Sequence, residues 1–404
     1  MFIYLLATLD TKGPEAQFVR DRLREQGLAV RVVDTSGQDS APPFAPEIDR
    51  AAVCAAADQS PVQKVDRATA VRIAEHGAKR IVVAAHQRGE LAGVLALGGS
   101  AGTTIGTACM RALPLGVPKL MVSTLASGNV RGYVGDKDIL MLNSVVDIAG
   151  LNRISRAVLS NAAAAMAGMV RSPAVTALHD KPIVAATMFG VTTPCVLQAK
   201  NLLEAAGYEV LVFHATGNGG QAMESLIRDG QIAGVLDITT TELADELVGG
   251  ILSAGPQRLT AAGECGVPQV VSVGALDMVN FGPQSTVPAK FAARKFHVHN
   301  ANVTLMRTTP EENALLGAEI GRKVAASRGP AAILLPSAGV SAIDRAGQPF
   351  DDPVARSALF SAIRQANGQH EVQELPLHIN DPEFAAAAVA KLLQLMTSHA
   401  KASR

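Results

Sequence analysis

The sequence predicts an α/β fold of two Rossmann-like, doubly wound parallel-sheet domains related by internal duplication. Three observations carry this. Apolar residues fill 48% of the 404 positions and aromatics 3%, with no Trp, so the core is built from Ala, Val, Leu and Ile. That is the material of buried parallel strands under Ala-rich helices. Short apolar runs alternate with helical stretches along the chain. Phrases of the first half also return, in order, in the second. The two domains are placed at residues 1–178 and 179–404.

The elements follow in chain order. Residues 2–7 form an apolar strand, and 8–13 a polar turn. Pro14 suits a first helical position, and a helix over 15–26 is closed by Gly27. Residues 29–33 are a strand. The Pro- and Ala-rich stretch 36–63 reads as a loop with a short helix. A helix over 64–90 is interrupted at Gly77. Residues 91–97 are a buried strand, followed by a glycine-rich turn and a short helix over 105–113 stopped by Pro114. Strands at 116–123 and 139–142 precede an Ala-rich helix at 151–169. A linker over 171–181 separates the halves. Beyond it, strands fall at 183–187, 209–213, 232–238, 266–273, 303–307, 332–336 and 372–377. Helices fall at 192–206, 219–228, 242–247, 310–326, 353–365 and 382–396.

The repeat pairs residues 22–30 with 201–210 after one slip, 33–37 with 213–217, 91–95 with 232–236, and 116–123 with 266–273. After the third of these phrases the first half carries Gly98-Gly99-Ser100-Ala101-Gly102-Thr103-Thr104. The second carries Asp237-Ile238-Thr239-Thr240-Thr241-Glu242. Ligands of open parallel sheets bind at the carboxyl ends of strands. Gly98, Gly99, Ser100, Gly102, Thr103 and Thr104 therefore form a candidate phosphate cradle, since glycine admits close approach and a helix start offers free N–H groups. No Lys-Ser/Thr pair makes it a Walker A loop. Thr8, Asp10 and Lys12 follow the first strand, and Ser123, Thr124 and Ser127 follow the 116–123 strand. Together they make three polar turns at one sheet edge.

The second half offers a second candidate site at residues 214–224. There His214 and a carboxylate from Glu224, Asp237 or Glu242 suit acid/base work. His297 and His299 share a face if extended, but no third metal ligand is identified by spacing. Residues 336–352, with Ser341 and Asp344, read as a polar loop suited to a lid.

Much is excluded. Formal net charge is +0, from 36 basic and 36 acidic residues, so neither nucleic acid nor a membrane surface is an expected partner. Cys54, Cys109, Cys195 and Cys265 show no metal or redox spacing and read as reduced thiols. The opening apolar run is too short for a signal peptide or a span, so a cytoplasmic protein is expected. No nucleophile elbow, metalloprotease motif or dinucleotide fingerprint appears.

The motifs carry a resemblance. They are residues 8–13, 98–104, 123–128, 144–152, 188–194, 214–224, 237–245 and 307–313. In these the chain resembles the family of the ATP-binding N-terminal domain of the tomato mosaic virus resistance protein and its bacterial relatives. The resemblance implies two Rossmann-like subdomains, ATP binding associated with the first, and a homodimer; the polar turns at Thr8, Asp10 and Lys12 add magnesium as the expected companion of ATP. Two functions are weighed. One is ATP binding on residues 98–104 and the flanking turns. The other is a hydrolase or lyase acting on a small carboxylated or phosphorylated metabolite between the domains.

Overall fold

The alternation of apolar runs and helices closes into two separate parallel sheets. The structure is a computed structural model that describes residues 1–38, 42–61, 65–172 and 181–402. Contacts divide the chain into two compact units, Met1–Thr176 and Ala177–Arg404. The boundary expected at 178/179, and most of the expected linker, lie outside the described residues.

The first unit runs β1 (Phe2–Ala7), α1 (Leu9–Glu25), β2 (Val30–Asp34), α2 (Arg50–Ala56), α3 (Arg67–Gln87), β3 (Leu91–Gly98) and α4 (Ser100–Arg111). It continues with β4 (Lys119–Ser123), α5 (Arg131–Val134), β5 (Leu140–Asn143) and α6 (Arg153–Arg171). Its strands order as β2-β1-β3-β4-β5, all parallel. Side chains of β1 alternate between two layers. Ile3 and Leu5 pack with Val19 of α1 and Ala162 of α6, while Tyr4 and Leu6 pack with Ala78 of α3 and Ile105 of α4. That period-two alternation is what winds helices onto both faces.

The second unit runs β6 (Ile183–Met188), α7 (Thr193–Ala205), β7 (Glu209–His214), α8 (Asn218–Arg228), β8 (Gly234–Thr239), α9 (Glu242–Val248) and α10 (Ala261–Cys265). Next come β9 (Gln269–Gly274), β10 (Met278–Phe281), β11 (Phe296–Asn300), β12 (Val303–Arg307) and α11 (Pro310–Ala325). It ends with β13 (Ala331–Pro336), α12 (Pro353–Ala366), β14 (Glu371–Leu375) and α13 (Pro382–Ala402). Its main sheet orders as β14-β13-β9-β8-β6-β7. With β6, β7, β8, β9 and β13 standing for β1 to β5, this is the order of the first unit with β14 added. A small antiparallel sheet, β10-β12-β11, departs from the expected pattern.

Three local readings change, two at glycines and one at a proline. The 98–104 stretch is not a loop before a helix starting at residue 105, because α4 begins at Ser100. A Cβ on Gly98 would lie 2.8 Å from Gly102 Cα, and one on Gly102 3.0 Å from the Leu97 carbonyl oxygen. These glycines let the helix press against its strand. Gly77 does not interrupt α3, since a Cβ there would sit 2.0 Å from the Val53 carbonyl oxygen of α2. At α1 the helix begins at Leu9, before Pro14. It breaks at Lys12 (φ −128°, ψ 19°) because proline donates no hydrogen bond and crowds the carbonyl four residues back. Among the described residues no helix is long and apolar enough to cross a membrane.

Candidate functional site

At the carboxyl edge of the first sheet two helix N-termini face one cleft. The cleft measures about 630 Å³ and is lined by Thr8, Asp10 and Lys12 on one side and Gly99, Ser100 and Gly102 on the other. Val65, Ala70, Val71 and Ile105 supply apolar wall, and Arg67 a second cation.

The two helix ends differ in what their amides meet. At α1, the Leu9 amide donates to Asp34 Oδ1 at 3.2 Å and the Asp10 amide to Ser36 Oγ at 3.0 Å. The Thr11 amide donates to the Thr8 carbonyl at 3.1 Å. That end is closed by the protein itself. Asp34 ends β2, where a dinucleotide enzyme places its ribose-binding carboxylate, and here it holds a helix instead. At α4 the N-cap is Gly99, which has no side chain to cap with. No described residue accepts from the amides of Ser100, Ala101 or Gly102, which lie in the first turn. By contrast α2, α3, α6, α11 and α12 each carry a capping Asp, Asn or Thr. An uncapped first turn at the mouth of a cleft is a site of positive potential with unfilled donors.

The other residues predicted for this site do not line the cleft. Thr103 and Ser123 are buried and share a hydrogen bond at 2.6 Å. Thr103 also donates to the Gly99 carbonyl at 2.8 Å, and the Leu125 amide to Ser123 Oγ at 3.0 Å. They brace the turn from beneath. Thr104 donates to the Ser100 carbonyl at 3.0 Å, and the Thr124 amide to the Gly98 carbonyl at 3.3 Å. Gly98 is buried behind the helix start and Ser127 is exposed. Lys12 borders the cleft, yet its Nζ donates to the Ile148 carbonyl.

In the second unit the predicted acid/base residues come together around a cation that sequence reasoning missed. Arg258 is fully buried. Its Nη1 and Nη2 meet the two carboxylate oxygens of Asp237 at 2.5 and 2.7 Å, and its Nε meets Glu242 Oε2 at 2.6 Å. Glu224 Oε1 lies 3.5 Å from Nη1 and also accepts from the Leu259 amide at 2.6 Å. Burial works against the Arg258 charge, but Asp237, Glu242 and Glu224 hold its pKa well above the ordinary value. Burial raises the Glu242 carboxyl, with Arg258 opposing it. His214 stands apart, exposed, its ring 5.6 Å from that of Phe189. So Glu224, Asp237 and Glu242 form a closed ion cluster, not the acid/base partners of His214. The usable signal was Asp237 in the otherwise apolar, wholly buried run of β8, a carboxylate that demands a buried cation.

The glycine-rich helix start within the 214–224 candidate site is filled. Glu242 Oε1 accepts from the Gly217 amide at 2.7 Å and the Gly220 amide at 3.1 Å, at the start of α8. The stretch read as a lid is partly interior, because Ser341 and Asp344 are fully buried. Ser341 donates to Asp277 at 2.8 Å, and burial next to Asp344 pushes the Asp277 carboxyl up to about 7. No group of three metal-ligating side chains occurs among the described residues, so His297 and His299 on β11 gain no third ligand there.

A doubly wound α/β unit with an open helix N-terminus at its cleft, followed by a second unit of the same strand order, defines the class. The chain belongs to the uncharacterised protein family UPF0261, whose N-terminal domain matches residues 1–174 and whose C-terminal domain matches 181–396. It is 49% identical to a UPF0261 protein of Clostridium tetani over 98% of each chain. It is 42% identical to the ToMV resistance protein Tm-1(GCR237) of Solanum lycopersicum, over 97% of this chain and 55% of that protein. Among solved structures, UDP-GlcNAc 2-epimerase from Neisseria meningitidis aligns over 98% of this chain and 100% of that one. It is 8% identical with a TM-score of 0.26, a likeness that carries no argument.

Proposed function

We propose that the chain binds a nucleoside phosphate, ATP with magnesium, in the cleft of the first unit. The phosphates rest on the amides of Ser100, Ala101 and Gly102. The observation that carries this reading is the uncapped first turn of α4, beside an α1 terminus that Asp34 and Ser36 already close. Lys12 and Arg67 add positive charge along the cleft, and Asp10 is the carboxylate beside which a magnesium-bound phosphate fits. The apolar wall of Val65, Ala70 and Val71 accepts the base. The alternative, a hydrolase or lyase using Glu224, Asp237 or Glu242, finds those carboxylates taken up by Arg258 and backbone amides.

Calorimetry of the full chain with ATP and magnesium tests the reading. Binding is expected, weakened at least roughly tenfold in Gly102→Val, since the added side chain meets the Leu97 carbonyl and shifts α4. Equal affinity in parent and variant would remove the phosphates from this helix start.

A further inference from the structure

Two side chains of α1 hold the loop between β5 and α6. Lys12 borders the cleft along its length while its Nζ reaches the Ile148 carbonyl. Three residues on, Glu15 is fully buried. Its Oε1 accepts from the Gly150 amide at 2.5 Å, and its Oε2 has no partner among the described residues. The loop they hold is strained. Val145 has φ 66° and is 67% exposed, a conformation that a β-branched residue adopts only under constraint. Across it the Val146 amide donates to the Ser144 carbonyl at 2.7 Å, closing a three-residue turn. Lys12 itself sits at the break in α1, where its backbone leaves helical geometry (φ −128°, ψ 19°) while its amide still donates to the Thr8 carbonyl at 2.7 Å.

We infer that Lys12 is a latch. Its ammonium exchanges between the Ile148 carbonyl and an anion in the cleft, so filling the cleft loosens residues 144–150. A charged acceptor draws an ammonium more strongly than a neutral carbonyl does. Once Lys12 turns to the anion, the polar contacts from α1 to the loop reduce, among the described residues, to Glu15 with the Gly150 amide, beside the packing of the Ile148 side chain in the core cluster of Leu9 and Ala16. The strain at Val145 then favours the looser state. The inference rests on the proposed anion site and adds to it a regulated segment outside the cleft, since neither Val145 nor Ile148 lines the cleft.

Amide hydrogen exchange on the full chain tests it, for parent, Lys12→Met and Lys12→Arg, with and without ATP and magnesium, beside calorimetry on the same samples. Saturating ATP is expected to speed exchange of the Ser144 and Gly150 amides roughly tenfold. Lys12→Met reaches the faster rate with no ligand, while Lys12→Arg keeps the slow rate until ATP is added. Amides of β1 and β3 report whether each variant is folded. Binding heat with unchanged rates at Ser144 and Gly150 overturns the latch and leaves the anion site standing. Absence of heat overturns the anion site and the ligand-driven step with it. A slow, parent-like rate in unliganded Lys12→Met overturns the Lys12 contact as a hold on the loop, whatever ATP does.

Discussion

Glu242 Oε1 lies 2.7 Å from the Gly217 amide, so a side chain of the protein occupies the helix end that its glycines mark as an anion site. The first unit leaves its own glycine-marked helix end open at α4. Two units with one strand order thus differ in whether a carboxylate of the chain fills the positive end of a helix. The following predictions come from such local differences.

Arg258 is the cation shared by Asp237, Glu242 and Glu224, and Arg228 lies 3.6 Å from Glu224 as well. Replacing Arg258 by Met leaves Asp237 and Glu242 buried without a cation, while Glu224 keeps Arg228 and the amides of Leu259 and Ala261, and removing one partner of a buried pair costs about 3–5 kcal/mol. Arg258→Met is therefore expected to unfold at markedly lower urea than the parent. Glu242→Gln, which keeps an acceptor for Gly217, should lose less. The reverse order in urea titrations would show that the cluster does not hinge on its cation.

Gly98 faces Gly102 so closely that a Cβ would stand 2.8 Å from its Cα. Gly98→Ala is expected to cost roughly 1–3 kcal/mol by overpacking, measured as a lower thermal midpoint. Gly99→Ala meets nothing nearer than 3.7 Å and should be near neutral for stability. Equal midpoints for the two variants would contradict the close packing of α4 on β3.

Burial pushes the Asp277 carboxyl up to about 7, helped by Asp344, and burial pushes Asp245 to about 7 as well. A raised carboxyl pKa means the folded chain holds protons that the unfolded chain has released. The stability these groups contribute is full below the ordinary value of 3.8, declines as pH rises toward 7, and is level above it. Asp277→Asn keeps an acceptor for Ser341 and no longer titrates. Relative to the parent it should gain stability as pH rises from about 4 to about 7 and hold that gain above it, each unit of displacement being worth about 1.4 kcal/mol. A parent–variant difference that stays constant with pH would rule this out.

Much of the fold is legible in the sequence because parallel-sheet strands and Ala-rich helices announce themselves in one dimension. The apolar run of residues 2–7 already marks a strand buried on both faces, and the repeated phrases already mark two units of one build, whose strand order the tertiary structure then supplies. The antiparallel strands β10 and β11 were not legible. Both are short, β11 is polar at alternate positions while β10 is four buried residues, and they pair only with a strand brought to them by the fold. The candidate site was legible in part. Thr8, Asp10, Lys12, Gly99, Ser100 and Gly102 do line one cleft, whereas Thr103 and Ser123 face inward and bond to each other.

What the sequence determined by itself is the class of the fold, the family, and the strand ends at which polar residues gather. Periodicity and glycine placement are local properties, and they survive without any knowledge of partners. Only the tertiary structure decided which glycine-marked helix end is open. Glu242 is 25 residues from Gly217, and Asp34 is 25 residues from Leu9. A hydrogen bond between groups so far apart along the chain exists only after the strands carrying them have paired, because what fills a helix end is whichever acceptor the sheet brings within 3 Å of it.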